Sequence, residues 1–104
     1  MDKVKITVLK CNVDEELAKE YACKDFGVCH LHKAGQVFYS DWTKPEGLCD
    51  DAWYCIHYHV FALLHGGGNF YDGHWMSNPE AAITCCNDGL RPVVFKLERV
   101  SDES

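Results

Sequence analysis

A two-residue alternation of apolar side chains at both ends of the chain is the feature that most constrains the fold. It covers residues 3–10 and residues 92–100. The apolar positions of one face are Val4, Ile6 and Val8 in the first segment, and Val93, Phe95 and Leu97 in the last. Such alternation predicts half-buried strands, and their apolar faces must be covered by another layer. We therefore expect the first and last strands to pair in one sheet.

The segment 52–65 carries the strongest helical signal. Apolar and half-polar residues recur there at helical spacing, namely Ala52, Cys55, Ile56, His59 and Leu63, and Trp53, Val60, Phe61 and Leu64 widen the apolar surface. Asp50 or Asp51 is suited to cap the helix, and three glycines from Gly66 end it. We expect this helix to be largely buried. The predicted fold class is α+β, with one long central helix packed on a small antiparallel or mixed sheet of N- and C-terminal strands.

The segments between these elements give weaker signals. A short helix is predicted from Asn12 to about Tyr21, and a second strand over residues 35–39. Residues 79–86 fit either a short helix with a capping box beginning at Ser77 or a strand, and the pattern alone does not decide between them. The chain is predicted to be a single domain, 1–104, with a polar tail from about residue 101.

Charge and length exclude several classes of partner. The chain has 104 residues and a net charge of -6. A nucleic-acid binder needs cationic groups to replace phosphate counterions, so we expect no nucleic-acid partner, and no anionic membrane partner for the same reason. No segment has the length of a membrane span, and the N-terminus lacks an apolar signal core. The expected location is the cytoplasm, where thiols stay reduced.

The chain contains seven cysteines, an odd number, and no C-x-x-C motif. In a reducing compartment, many cysteines indicate metal binding or redox chemistry more often than disulfides. The alternative is that they are small core residues, since free cysteine packs well in protein interiors.

Two cysteine segments have the chemistry of a metal or nucleophile site. Cys29 is followed closely by His30 and His32, and thiolate with imidazole suits a soft or borderline metal. Cys49 lies at the start of the long helix, whose dipole and free N–H groups stabilise a thiolate, so it could act as ligand or nucleophile. The alternatives are solvated histidines beside a buried thiol, and an ordinary thiol near a helix cap.

Two further pairs of potential metal ligands lie close together in the sequence, Cys85 with Cys86 and Cys55 with His59. Adjacent Cys85 and Cys86 can bind a metal through one of the two sulfurs, can form a vicinal disulfide, or can be one inward core thiol beside an incidental neighbour. Cys55 and His59 lie four residues apart, hence on one helix face. For this second pair the pattern favours a core thiol beside a core histidine.

Several segments together resemble a known protein family. They are PEGLC (45–49), AW (52–53), GGNF (67–70) and CCNDGLRPV (85–93), with VKITVL near the start, a cysteine-to-GQxF run over 29–38 and the closing FKLERV. The family consists of small cysteine-containing proteins, found mostly in anaerobic bacteria and archaea, with no assigned activity. The resemblance implies that its cysteine positions are Cys29, Cys49, Cys85 and Cys86. It leaves Cys11, Cys23, Cys55 and His59 outside the pattern. The anaerobic setting favours an iron–sulfur cluster as much as zinc.

The leading hypothesis is therefore a metal-binding protein, with an iron–sulfur cluster or zinc as cofactor. Cys29, Cys49 and one or both of Cys85 and Cys86 are the predicted ligands, and either His32 or His30 completes the shell. An open coordination position would admit a small-molecule ligand.

Further residues are expected around this metal. Asp88 and Arg91 organise the neighbouring turn, as an ion pair or as a contact for a substrate anion. Trp53, Phe70 and Trp75 form apolar walls that limit water.

Two alternatives remain at the level of sequence. The first is a metal-free thiol enzyme, with Cys49 as the nucleophile and Cys85 or Cys86 as the resolving thiol. The second is a non-catalytic module that forms a homo-oligomer through the aromatic loop 69–78. Whether the protein is an enzyme is left open by the sequence.

Overall fold

Four strands and two helices make up the protein in a computed structural model that describes residues 2–101. In chain order they are β1 (Lys3–Cys11), α1 (Glu15–Tyr21), β2 (Val37–Ser40), α2 (Asp50–Leu64), β3 (Ala81–Cys85) and β4 (Val93–Val100). A short 3₁₀ turn, Phe70–Gly73, lies between α2 and β3. Met1 and residues 102–104, which hold most of the predicted polar tail, lie outside the described residues.

The strands form one antiparallel sheet in the order β2-β1-β4-β3. The central pair joins β1 to β4, from Lys3 opposite Val100 to Cys11 opposite Val93, with a bulge between Val8 and Lys10. The predicted α+β class is confirmed. The finer expectation was incomplete, because β2 and β3 flank the two terminal strands and α2 is accompanied by a second helix.

The core lies between one face of the sheet and α2. The buried side chains are Val4, Ile6 and Val8 of β1, Val93, Phe95 and Leu97 of β4, and Ala52, Ile56, Val60 and Leu63 of α2. Their spacing is two residues in the strands and three or four in the helix, so each element presents one continuous apolar face. Burying each of the larger of these side chains stabilises the fold by roughly 1.5–3 kcal/mol.

The opposite face of α2 is exposed and aromatic, which corrects the expectation of a largely buried helix. Tyr54, Tyr58 and Phe61 are 67%, 69% and 53% exposed. The sheet covers only one stripe of the helix, and these residues fall outside that stripe. No helix within residues 2–101 is long and apolar enough to cross a membrane.

The helix starts differ from the predicted ones by one or two residues. Asp14, not Asn12, caps α1, because its Oδ1 accepts a hydrogen bond from the N–H of Leu17 at 3.0 Å. The N-cap of α2 is Cys49, not Asp50 or Asp51, and its side chain makes no capping hydrogen bond. Residues 81–85 form a strand, so the helical alternative for residues 79–86 is wrong.

Arg99 of β4 ties the end of α2 to the sheet. Its Nη1 donates to the carbonyl oxygens of Leu63 at 2.8 Å and Gly67 at 3.3 Å. The Leu63 carbonyl lies in the last turn of α2, which carries partial negative charge, and also accepts the N–H of Gly66 at 3.3 Å, whereas Gly67 follows the helix. Arg99 therefore satisfies the helix end from the neighbouring layer.

We predict that Arg99→Met lowers the free energy of unfolding by about 1–3 kcal/mol, since charged hydrogen bonds to the two carbonyls are lost. Urea denaturation measures the change. The matched control is Lys96→Met on the same strand, whose exposed ion pair with Glu98 spans 3.6 Å and should be worth at most about 1 kcal/mol. Equal losses for the two variants would contradict the anchoring role.

Candidate functional site

A cavity of about 270 Å³ gathers three of the four favoured cysteines. Its lining residues come from the Cys29 loop, the first turn of α2 and the β3–β4 turn: Cys29, Leu31, Cys49, Asp51, Cys86, Asn87, Asp88 and Arg91. We call it the thiol pocket. Convergence of Cys29, Cys49 and Cys86 agrees with the hypothesis that these thiols act together.

Cys85 and Cys86 lie in different surroundings. Cys85, the last residue of β3, pairs with Val94 and is exposed. Cys86 is half-buried against the core and lines the thiol pocket. Successive residues of extended chain point to opposite sides, so only one of two adjacent thiols can face the pocket. The candidate is Cys86, and Cys85 is outside the set.

Each of the three pocket thiols lies near positive backbone dipoles. The Cys29 sulfur accepts a hydrogen bond from the N–H of Leu31 at 3.4 Å, and the Cys86 sulfur accepts one from the N–H of Val93 at 3.3 Å. Cys49 is the N-cap of the 15-residue helix α2. Backbone N–H groups and the N-terminal end of a helix carry partial positive charge, so these sulfurs lie where a metal-bound thiolate would be accommodated.

His32 connects the Cys29 loop to the start of α2 and does not line the pocket. It is 3% exposed, and its Nε2 accepts the N–H of Cys49 at 3.3 Å. The proton is therefore on Nδ1, which donates to Oε1 of Gln36 at 3.0 Å. Both ring nitrogens are engaged, so in this arrangement His32 has no lone pair for a metal. His30 is exposed and also does not line the pocket.

Asp88 and Arg91 form the expected ion pair. Oδ1 of Asp88 accepts the N–H groups of Leu90 and Arg91 at 2.9 and 3.1 Å. These bonds, followed by the charge of Arg91, hold the pKa of Asp88 below its usual value. Oδ2 lies 3.5 Å from Nε of Arg91, whose guanidinium stacks over Phe26 at 4.9 Å. The turn is thus fixed by its own acidic and basic groups.

Two cysteines outside the resemblance lie close to the pocket thiols. Burial raises the pKa of Cys11, and the nearby Cys29 and Cys86 raise it further. Burial also raises the pKa of Cys55, with Cys86 and Cys85 as its main neighbours. The position of Cys11 beside the pocket follows from long-range strand pairing, because Cys11 ends β1 opposite Val93. No local sequence signal marks that position.

The aromatic residues expected as walls lie elsewhere. Trp53 packs against the core, Phe70 contacts the ring of His59 at 5.2 Å, and none of the three lines the thiol pocket. Trp75 is 76% exposed and stacks on Tyr71 at 5.1 Å. The lining of the thiol pocket therefore contains none of the rings predicted as its walls.

His59 is not paired with Cys55 at a metal-like site. Its Nδ1 is buried and has no hydrogen-bond partner among the described residues, and burial lowers the pKa of the ring. This agrees with the interpretation of Cys55 and His59 as residues packed at the edge of the core.

The described donors do not form a single-ion site. Within residues 2–101, no three His, Cys, Asp or Glu side chains are grouped so that they could hold one metal ion. The pocket thiols are therefore neighbours around a cavity, not a closed coordination shell.

Comparison with known proteins gives no match: no family model, curated protein or solved structure is sufficiently similar to the chain. The resemblance to the cysteine-containing family of anaerobes stays a prediction, and the site must be interpreted from its own chemistry.

The raised pKa values of Cys11 and Cys55 predict how the metal-free protein reacts with iodoacetamide. Only the thiolate reacts, so each of these two residues should reach half its maximal rate at a higher pH in the folded protein than in urea. Pulsed alkylation with peptide mass spectrometry measures this for each cysteine, and the unfolded chain provides the control for the same residues. Identical pH profiles in the two states would contradict the burial effect.

Proposed function

We propose that the protein binds an iron–sulfur cluster in the thiol pocket, with Cys29, Cys49 and Cys86 as its protein ligands. The observation that carries the proposal is the convergence of these three thiols, from three separate segments, on one cavity of about 270 Å³. When bound, such a cluster supplies electron transfer or an iron with an open position for a small molecule. The chain supplies the thiolates and the polar groups around them.

A cluster is preferred to a single zinc ion because the three thiols line one cavity without forming a single-ion group among the described residues. Four sulfurs around one zinc lie about 3.8 Å apart, given Zn–S bonds of about 2.3 Å in a tetrahedron. The described residues contain no group of three donors arranged to hold one ion. In a four-iron cluster each thiolate binds a different iron, so the sulfurs are further apart than around one zinc ion, whereas each iron of a two-iron cluster takes two thiolates. Three thiols around a shared cavity suit that arrangement.

The charges around the sulfurs also support ligation by these three residues. Cys29 and Cys86 accept backbone N–H bonds, and Cys49 lies at the N-terminus of α2. By contrast, burial raises the pKa of Cys11 and Cys55, which disfavours their thiolates. The three sulfurs beside backbone N–H groups or at the helix N-terminus are therefore the proposed ligands, and Cys11 and Cys55 are not.

The proposal includes a reducing, cytoplasmic setting. Seven cysteines are present and all are free thiols. Thiols of this number persist where the glutathione and thioredoxin systems operate, and an exposed cluster is most durable without oxygen.

We expect protein prepared without oxygen to contain near-stoichiometric iron and sulfide and to absorb visible light as sulfur-ligated iron does. Cys86→Ser should remove most of the iron, because a pocket ligand is lost. The matched control is Cys85→Ser, one residue away and exposed, which should retain the iron and the spectrum. Colourless, metal-free, folded wild-type protein would overturn the proposal, as would equal iron loss in the two variants.

We expect His32→Leu to lower the free energy of unfolding by about 1–3 kcal/mol, since the N–H of Cys49 and Oε1 of Gln36 lose their buried partner. His32→Gln should recover part of this loss, because its side-chain oxygen can replace Nε2 as the acceptor. Iron per folded molecule should stay unchanged in His32→Gln. Loss of one iron-ligand signature in that variant would instead identify His32 as a ligand.

A metal-free thiol enzyme is the second candidate, and one observation favours it. Cys49 lies at the positive end of α2 and shares a cavity with Cys86, which would be the resolving thiol in place of Cys85. Alkylation kinetics of metal-free protein distinguish the two candidates. Selective reaction of Cys49 well below the pH at which the unfolded chain reacts, without any iron in the native protein, supports the enzyme.

A further inference from the structure

We infer that the thiol pocket accepts a small zwitterion of the α-amino-acid type, with its carboxylate on Arg91 and its ammonium on Asp51. The inference rests on the proposed function, since the same cavity holds the cluster. It adds the class of ligand that the polar walls recognise. The two recognising groups belong to the chain itself and are present with or without the cluster.

Arg91 is held ready to bind a carboxylate. Its Nε is paired with Asp88 at 3.5 Å, and one face of its guanidinium is covered by Phe26 at 4.9 Å. Among residues 2–101, Asp88 is its one ion-pair partner. A guanidinium fixed at one edge and one face presents its remaining N–H groups as a fork, which matches the two oxygens of a carboxylate.

Asp88 does not prevent Arg91 from binding the carboxylate of a ligand. Its Oδ1 is occupied by the N–H groups of Leu90 and Arg91, and its Oδ2 faces Nε. The carboxylate therefore positions Arg91. Asn87, next to it in the pocket lining, adds an uncharged amide that can donate to an anion.

Asp51 supplies the opposite charge from another element. It lies in the first turn of α2, is exposed and lines the pocket. Among residues 2–101 it forms no ion pair, either with Arg91 or with another cation, whereas its neighbour Asp50 is paired with Lys44 at 3.2 Å. A free carboxylate on the α2 side and a free guanidinium edge on the β3–β4 side together match a molecule that carries both charges.

The size of the pocket limits the ligand. The pocket has a volume of about 270 Å³. A cluster takes part of that space, so the remainder suits a molecule of a few heavy atoms and not a nucleotide or a peptide.

L-serine and two analogues test the inference. Glycerate replaces the ammonium of serine by a hydroxyl, and serinol replaces the carboxylate by a hydroxymethyl group. We expect wild-type protein to bind serine about tenfold more tightly than either analogue by isothermal titration calorimetry, since each comparison removes one charged hydrogen bond. Failure of wild-type protein to prefer serine over both analogues would overturn the inference.

Three variants test which residue binds the carboxylate of serine and which binds its ammonium group. Arg91→Met should abolish the preference for serine over serinol, and Asp51→Asn should abolish the preference for serine over glycerate. Asp50→Asn is the matched control, because this carboxylate is paired with Lys44 and does not line the pocket, and it should leave both preferences intact. Preferences that survive Arg91→Met or Asp51→Asn, or that disappear in Asp50→Asn, would count against the assignment.

Iron content and thermal stability are measured on every sample, and the titrations are repeated on metal-free protein. Serine selectivity in protein that never contains iron would refute the cluster and retain the zwitterion site. Stoichiometric iron without selectivity would refute the zwitterion site and retain the cluster. The two proposals therefore fail separately.

Discussion

The antiparallel pairing of β1 with β4 is the constraint on which the rest of the structure depends. It joins the two ends of the chain, and its alternating side chains form the surface that α2 covers. At one end of this pair, Cys11 lies opposite Val93. Val93 in turn holds Cys86 through two hydrogen bonds, one to the backbone and one to the sulfur. A shift of one residue in the pairing would turn the apolar faces outward and move Cys86 away from the pocket.

The second constraint is the contact between the Cys29 loop and the start of α2. His32 connects them, because its ring accepts the N–H of Cys49 and lies edge-on to Phe38 of β2 and Phe95 of β4. The imidazole is thus a buried polar group that links two segments of the chain inside an apolar layer. Its two hydrogen bonds offset the cost of burial and give the loop a single position relative to the helix.

The terminal strands and α2 could be predicted from sequence because their signals are local. Val93, Phe95 and Leu97 alternate, and Ala52 and Ile56 recur at helical spacing, whatever the rest of the chain does. The orientation of Cys86 could not be predicted, since residues 79–86 fit helix and strand alike. Only pairing with β4, a long-range contact, selects the strand and so separates Cys85 from Cys86.

The role of His32 was missed for a related reason. In the sequence it stands near Cys29 and has the composition of a ligand, whereas the structure directs its nitrogens to Gln36 and to the backbone of Cys49. A histidine beside a cysteine predicts metal ligation only if one ring nitrogen keeps a lone pair that no hydrogen bond within the fold uses. Here the fold uses both nitrogens, so His32 is bound to Gln36 and Cys49 and is not directed at the thiol pocket.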